Sequence, residues 1–399
     1  MILNHRPQYP KVKSRIQYIL FHIIFFLSII RSQDPFVIDS PLSSSLPQSI
    51  ANSIELADVN NDGYTDIIMS GYDETRFGVF LDVMLGSGDG TLSQGYQTYF
   101  VTYSDTIAEY LGGIGNISLA DVNLDGSIDL YINGSARSKL LFNTSSGYFN
   151  ESSWLQNMPV SYSNGKWGDV NMDGRPDLFL MGVEEPSGEY IINELFINTG
   201  NDLEEDPSTI FPSLFTGSSA WGDYDNDGDP DLIIGGQTAN PNSSVTRLYQ
   251  NDPIGRLTEV TTADAINGIK AGTFHFADLD ADGDLDLIMS GWNKIEGDLV
   301  TYILENEPLG TFSLAPGQID FAVAYGTIDA IDLNLDGLKD IVIAGADNVS
   351  IYSGRVHSLS GRVYLNNGDG TFSSIKEIPG ARVARFVDVD QDSIPDLIA

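Results

Sequence analysis

Short apolar runs and short acidic runs alternate along this chain at a near-constant interval. The apolar stretch Ile54-Glu55-Leu56-Ala57 leads into an acidic nonapeptide, and a second apolar run, Ile67-Ile68-Met69, follows it. Later copies are followed by LYI, LFL, LII, LIM, IVI and LIA. These runs are β-branched or bulky, of strand length and without helical period, which predicts strand, acidic loop, strand. A second signature comes after each of the first six loops: LDVMLGSGDGTL at Leu81, KLLFNTSSGYF at Lys139, ELFINTG at Glu194, RLYQNDPIGRL at Arg247, YILENEPLGTF at Tyr302 and RVYLNNGDGTF at Arg362. Apolar alternation running into Asn-Gly or Gly-Asp-Gly is the signal of a β-hairpin with a tight turn.

The acidic nonapeptide occurs seven times: DVNNDGYTD at Asp58, DVNLDGSID at Asp121, DVNMDGRPD at Asp169, DYDNDGDPD at Asp223, DLDADGDLD at Asp278, DLNLDGLKD at Asp332 and DVDQDSIPD at Asp388. Successive starts are 63, 48, 54, 55, 54 and 56 residues apart. Four strands fit into each interval, so the expectation is an all-β fold, a seven-bladed β-propeller of four-stranded blades over residues 34–399. A linear β-solenoid is the alternative, and the repeat is too long for one of its coils. The residues left for a seventh unit are fewer than any other repeat uses. Either the sequence is a fragment or the seventh blade is incomplete.

The nonapeptide has the chemistry of a Ca²⁺ loop. Ca²⁺ takes about 6–8 oxygens, which a tight loop supplies from side chains at positions 1, 3 and 5 and a backbone carbonyl at position 7. The first copy offers Asp58, Asn60, Asp62, the carbonyl of Tyr64, and Asp66 at position 9. The second offers Asp121, Asn123, Asp125, Ser127 and Asp129, and the third Asp169, Asn171, Asp173, Arg175 and Asp177. The fourth offers Asp223, Asp225, Asp227, Asp229 and Asp231, and the fifth Asp278, Asp280, Asp282, Asp284 and Asp286. The sixth offers Asp332, Asn334, Asp336, Leu338 and Asp340, and the seventh Asp388, Asp390, Asp392, Ile394 and Asp396. Gly at position 6 permits the sharp turn, and Ser393 replaces it in the seventh copy. An EF-hand would carry Glu at position 12 between helices. Here that position is Met69, Ile132, Leu180, Ile234, Met289, Ile343 and Ala399, so the EF-hand and helical dockerin-type readings fail. An ordinary Asx turn would use the same residue types. Seven copies of clustered carboxylates favour a cation in each, about seven Ca²⁺ in all, because like charges repel without one.

Charge changes the list of partners. With 56 acidic and 20 basic residues and a formal charge of −36, the chain repels phosphate backbones, so nucleic acid is not expected. Residues 1–33 combine a basic leader (Arg6, Lys11, Lys13, Arg15) with a 13-residue apolar core, Tyr18 to Ile30, and read as a secretory signal peptide. An uncleaved signal anchor is the alternative. Cysteine is absent, so stability rests on core and metal rather than disulfides. Sequons at Asn116, Asn133, Asn143, Asn150, Asn242 and Asn348 are compatible with a secreted glycoprotein.

With these residues in hand, the chain resembles the FG-GAP or VCBS-type repeat family, whose repeats build the N-terminal propeller of integrin α chains. WGDYDNDGDPDLIIGG from Trp221 and FADLDADGDLDLIMSG from Phe276 match its calcium loop, and VYLNNGDGTF from Val363 matches its hairpin. The resemblance covers about residues 50 to 399. It implies a propeller with Ca²⁺ between the first and second strands of each blade, and a role in extracellular recognition or cell adhesion.

In such a blade the 1–2 and 3–4 loops share one face, and the 2–3 and 4–1 loops share the other. That second face is expected to hold the partner, with Arg76, Tyr190, Arg247, Trp292, Tyr352 and Arg355 as candidate anchors for an extracellular protein or glycan. Trp167 and Trp221, two residues ahead of a loop, are expected to pack in the core. Membrane association would need an uncleaved leader or an anchor beyond Ala399. With no Cys and only His275 and His357 outside the leader, a non-catalytic binding protein is expected; a lectin-like glycan binder and, behind it, the scaffold of a glycan-acting hydrolase or lyase are the alternatives.

Overall fold

The computed structural model describes residues 16–17, 38–39, 50–73, 78–101, 116–133, 138–155, 160–184, 191–240, 243–260, 268–350 and 355–399. The leader thus lies outside the described residues, apart from β1 (Ile16–Gln17), which pairs in parallel with β2 (Ile38–Asp39). Every other element is a strand of an antiparallel sheet, and no helix occurs among the described residues.

Six sheets are four-stranded meanders in chain order. The first is β3 (Ile50–Ala57), β4 (Asp66–Asp73), β5 (Gly78–Gly86) and β6 (Leu92–Val101). The second is β7 (Ile117–Ala120), β8 (Asp129–Asn133), β9 (Ser138–Asn143) and β10 (Phe149–Glu151). The third is β11 (Val160–Gly168), β12 (Asp177–Glu184), β13 (Ile191–Asn198) and β14 (Leu203–Asp206). The fourth is β15 (Phe215–Gly222), β16 (Asp231–Gln237), β17 (Ser244–Gln250) and β18 (Thr258–Glu259). The fifth is β19 (Ile269–Ala277), β20 (Asp286–Asn293), β21 (Asp298–Asn306) and β22 (Phe312–Leu314). The sixth is β23 (Ala324–Ile331), β24 (Asp340–Ser350), β25 (Arg355–Asn366) and β26 (Phe372–Pro379). The last sheet has two strands, β27 (Arg385–Val387) and β28 (Asp396–Ile398). Seven four-stranded blades were expected; six are complete, and the seventh acidic loop joins a two-stranded hairpin.

The sequence pattern explains the layering. The second strand of each blade is buried on both faces, which is why it reads as an unbroken apolar run: β16 is buried from Asp231 to Gly236. The third strand mixes buried and half-buried positions, as in β9, and the fourth, short in four of the six blades, is largely exposed, as suits an outer edge. Apolar faces of successive sheets pack against each other. Val59, Ile68 and Leu81 meet Leu130, Ile132 and Leu141; Phe179 and Leu195 meet Leu232 and Tyr249; Ile288 and Ile303 meet Ile341 and Ile343. The ring is closed by the same means, since Ile54, Ile67 and Phe80 of the first blade pack on Val387, Val389 and Ile398 of the last hairpin.

Candidate functional site

Each acidic nonapeptide connects the first two strands of its sheet, and the loops share one backbone conformation. In the first, the Asp62 N–H donates to Asp58 Oδ1 and Asn60 Oδ1, both at 3.0 Å, Gly63 N–H to Asp58 Oδ2 at 2.7 Å, and Tyr64 N–H to Asp62 Oδ1 at 2.9 Å. The second, third and sixth loops repeat this set, and the fourth and fifth keep most of it. Folding the chain this tightly requires left-handed backbone at two positions. Position 6 is Gly in six loops, and Ser393 adopts φ 66° in the seventh. The seventh loop nevertheless keeps the pattern, with Ser393 N–H donating to Asp388 Oδ2 at 2.9 Å and Ile394 N–H to Asp392 Oδ1 at 2.8 Å. Position 4 is also left-handed, which forces Leu124, Met172 and Leu335 into φ 56°, 57° and 60° with their side chains exposed.

The position-9 aspartate is buried in every loop. Its Oδ2 accepts the position-2 N–H of its own loop, and in the first six blades its Oδ1 accepts an N–H at the end of the third strand; Asp231 does so from Tyr224 at 3.0 Å and Asn251 at 2.8 Å. Burial pushes these carboxyls up, Asp129, Asp177 and Asp286 to about 6 and Asp231 and Asp396 to about 7, against the lowering pull of the backbone N–H groups. Neighbouring carboxylates add to the rise.

The residues present fit a hard cation. Carboxylate oxygens of Asp223, Asp225 and Asp231, of Asp278, Asp280 and Asp282, and of Asp388, Asp390 and Asp396 converge within 4.8 Å of one another. Asp225 Oδ1, Asp229 Oδ2 and Asp278 Oδ1 are buried without a hydrogen-bond partner. Such anionic oxygens are costly to bury unless something positive meets them. In the third loop Arg175 already supplies a positive group, its guanidinium lying 3.3 Å from Asp173.

One set of residues was not singled out from the sequence. The Asn closing the third strand in FNT, INT, QND, ENE and LNN reaches the preceding blade and donates to the position-2 carbonyl of that blade's acidic loop. The bonds are Asn143 to Val59 (2.7 Å), Asn198 to Val122 (2.8 Å), Asn251 to Val170 (2.8 Å), Asn306 to Tyr224 (2.6 Å) and Asn366 to Leu279 (2.6 Å). Its own N–H meanwhile caps the position-9 aspartate of its blade, so one residue ties two successive loops together. In the first blade the position is Gly86, which has the N–H contact and no side chain. That seam is held instead by Gln391 Nε2 on the Gly63 carbonyl at 2.7 Å and an Arg385–Glu55 ion pair at 3.6 Å. The latch also closes one sequon, because Asn143 is buried and its amide nitrogen serves Val59 and Ile128; Asn150 and Asn348 are exposed.

The candidate anchors are less united. Arg76, Tyr190 and Tyr352 lie outside the described residues, as does the side chain of Arg355. Arg247 sits on β17 paired with Glu259 at 2.8 Å, and Trp292 sits on β20 beneath the Lys270 ammonium, 4.4 Å from its ring centre. Both are strand residues rather than loop tips. Exposed apolar side chains occur on both faces: Tyr64, Leu124, Met172 and Leu335 in the acidic loops and Tyr148, Ile254 and Leu309 in the 3–4 turns on one, Ile210 in a 4–1 loop and Ile295 in a 2–3 loop on the other. Trp167 and Trp221 pack between blades as expected, and both also border the cavity on the ring axis.

Residues 58–132, 121–180, 169–234, 223–289 and 332–399 each match the FG-GAP-like repeat. No curated protein matches the chain. Among solved structures, an Agrocybe aegerita lectin described for specific recognition of non-reducing terminal N-acetylglucosamine is 17% identical, with 85% of this chain and 82% of that one covered and a TM-score of 0.51. AofleA from Arthrobotrys oligospora is 12% identical over 88% and 89%, with a TM-score of 0.46. A thermostable family-43 glycoside hydrolase is 9% identical over 68% and 96%, with a TM-score of 0.39. Likeness at these identities concerns the fold alone. The repeat, matched over most of the described ring and built around the acidic loop in each case, places the chain in the FG-GAP-like repeat family.

Proposed function

We propose that this chain is a secreted or cell-surface recognition protein, non-catalytic, whose acidic loops each hold Ca²⁺ and so brace a seven-unit ring for binding an extracellular protein or glycan. The observation that carries the reading is the convergence of unpartnered, buried carboxylate oxygens in loops that also anchor the neighbouring blade. Positions 1, 3, 5 and 9 and the position-7 carbonyl would hold the ion. When bound, it neutralises the carboxylate cluster and cross-links the two strands the loop joins. The loops do no chemistry in this reading; they fix the rims on which partners dock.

Chelation tests it. With excess EDTA the melting temperature and protease resistance fall, and equilibrium dialysis finds several Ca²⁺ per chain; an unchanged melt with fewer than about four bound ions would sink the metal reading. A lectin-like role is the second reading, favoured by exposed Tyr64 and Tyr148 on the loop face and by the shared fold with the Agrocybe lectin. Glycan-array binding that disappears with EDTA supports it, whereas binding to protein surfaces alone counts against it.

A further inference from the structure

Counting back three residues from the first aspartate of each loop gives Glu55, Ser118, Lys166, Ala220, His275, Asp329 and Arg385. These seven positions lie on the innermost strands, and all but Ser118 line a cavity of about 600 Å³ on the ring axis, bordered by residues from all seven sheets. That volume is within the roughly 300–1,000 Å³ of small-molecule pockets. The charge here runs against the rest of the molecule. In a chain of net charge −36, three basic residues, Lys166, Arg382 and Arg385, face two acidic ones, Glu55 and Asp329.

The acidic groups are already committed. Glu55 pairs with Arg385 at 3.6 Å. Asp329 accepts the Phe386 N–H on Oδ2 at 2.8 Å and the Ala330 N–H on Oδ1 at 3.0 Å. Lys166 is different: among the described residues its ammonium makes no hydrogen bond or ion pair, and burial pulls its pKa down while the Glu55 carboxylate opposes that pull and Arg385 adds to it. Its neighbours around the ring, Ser118 and Ala220, are small and uncharged, which leaves room beside the amine. Trp221 borders the same space, its indole N–H fixed on the Lys166 carbonyl at 3.2 Å, and the Trp167 indole N–H is buried without a partner. A half-buried ammonium inside the ring with no hydrogen-bond or ion-pair partner carries a desolvation cost, and an anionic ligand removes that cost.

We propose that the axial cavity binds a small carboxylate-bearing molecule, its carboxylate on Lys166 and its uncharged part in the space beside Ala220 and Trp221. This site is separate from the acidic loops and from any partner on the outer faces.

Calorimetric titration of the calcium-loaded full chain tests it with three probes: acetate, D-glucuronate and neutral D-glucose. The expected result is saturable one-to-one binding of at least one of the two carboxylates and none of glucose. Lys166→Met should weaken that binding about ten- to a hundredfold, the worth of a charge-assisted hydrogen bond, without lowering the melting temperature. Ala220→Leu, which fills the cavity while keeping the amine, should weaken glucuronate more than acetate. Saturation by neither carboxylate, equal binding of glucose, or undiminished binding in a folded Lys166→Met protein would each overturn the proposal. Loss of glycan or protein binding at the outer faces would leave it standing.

Discussion

At position 6 of the acidic loop, a hydroxymethyl group sets the seventh copy apart from the other six. Ser393 occupies the left-handed conformation that Gly supplies elsewhere, at φ 66°, and every loop hydrogen bond around it still forms. The sequence pointed to Ser393 as the weak point and could not say whether the turn would yield; the backbone keeps its shape and carries strain. Ser393→Gly is therefore expected to stabilise the protein by about 1 kcal/mol, read as a higher urea midpoint at unchanged slope. The position-9 carboxyls give a second, pH-dependent expectation. Without metal, their folded pKa values of about 6 to 7 exceed the unfolded value, so the folded state holds protons that the unfolded state has released. Their contribution to stability is present at about pH 4 and is lost as pH rises through 6 to 7. EDTA-treated protein should then melt at lower temperature at about pH 7.5 than at pH 5, and calcium should raise the melt most at the higher pH. Asp231→Asn should flatten the metal-free slope.

At the scale of the element, strand, loop and hairpin were legible because each recurs: the position-12 residues Met69, Ile132, Leu180, Ile234, Met289 and Ile343 all lie buried in second strands, where the repeat placed them. The latch asparagines were visible as letters in the hairpin signature, but their role was not. Asn306 meets Tyr224 from 82 residues away, in another blade, and nothing local marks that contact. Losing its side chain removes bonds to the Tyr224 and Leu285 carbonyls and leaves a buried acceptor unmet. Asn306→Ala should cost about 1–3 kcal/mol, and the same change at exposed Asn150 should cost little; paired chemical-denaturation curves distinguish them. The axial ring was harder still to read. Glu, Ser, Lys, Ala, His, Asp and Arg share no chemistry, and only a common offset from the loops brings them into register.

For the whole molecule, closure falls to the last hairpin. Six blades complete their sheets with a fourth strand, while β27 and β28 present two strands and a face of Val387, Val389 and Ile398 to the first blade. Val389→Asp places a charge in that interface, where Val389 is 3% exposed. It should destabilise the protein by roughly 3–5 kcal/mol, the effect of a buried unpaired charge, and raise susceptibility to proteolysis across the first and last repeats together.

Gly86 gives the ring a preferred place to breathe. Five seams carry an asparagine staple between neighbouring loops, and the seam between the sixth blade and the last hairpin has Thr327 on Ala384, Asp329 on the Phe386 N–H and Arg385 on the Ile328 carbonyl. The polar bonds of the seam between the last hairpin and the first blade, by contrast, come down to an exposed glutamine and a long ion pair. Opening events follow the least-bonded boundary of a structure. Deuterium should therefore enter first along β3 and β27, under conditions in which β16 and β20 stay protected, so that the closed circle behaves toward solvent as a strip with two ends.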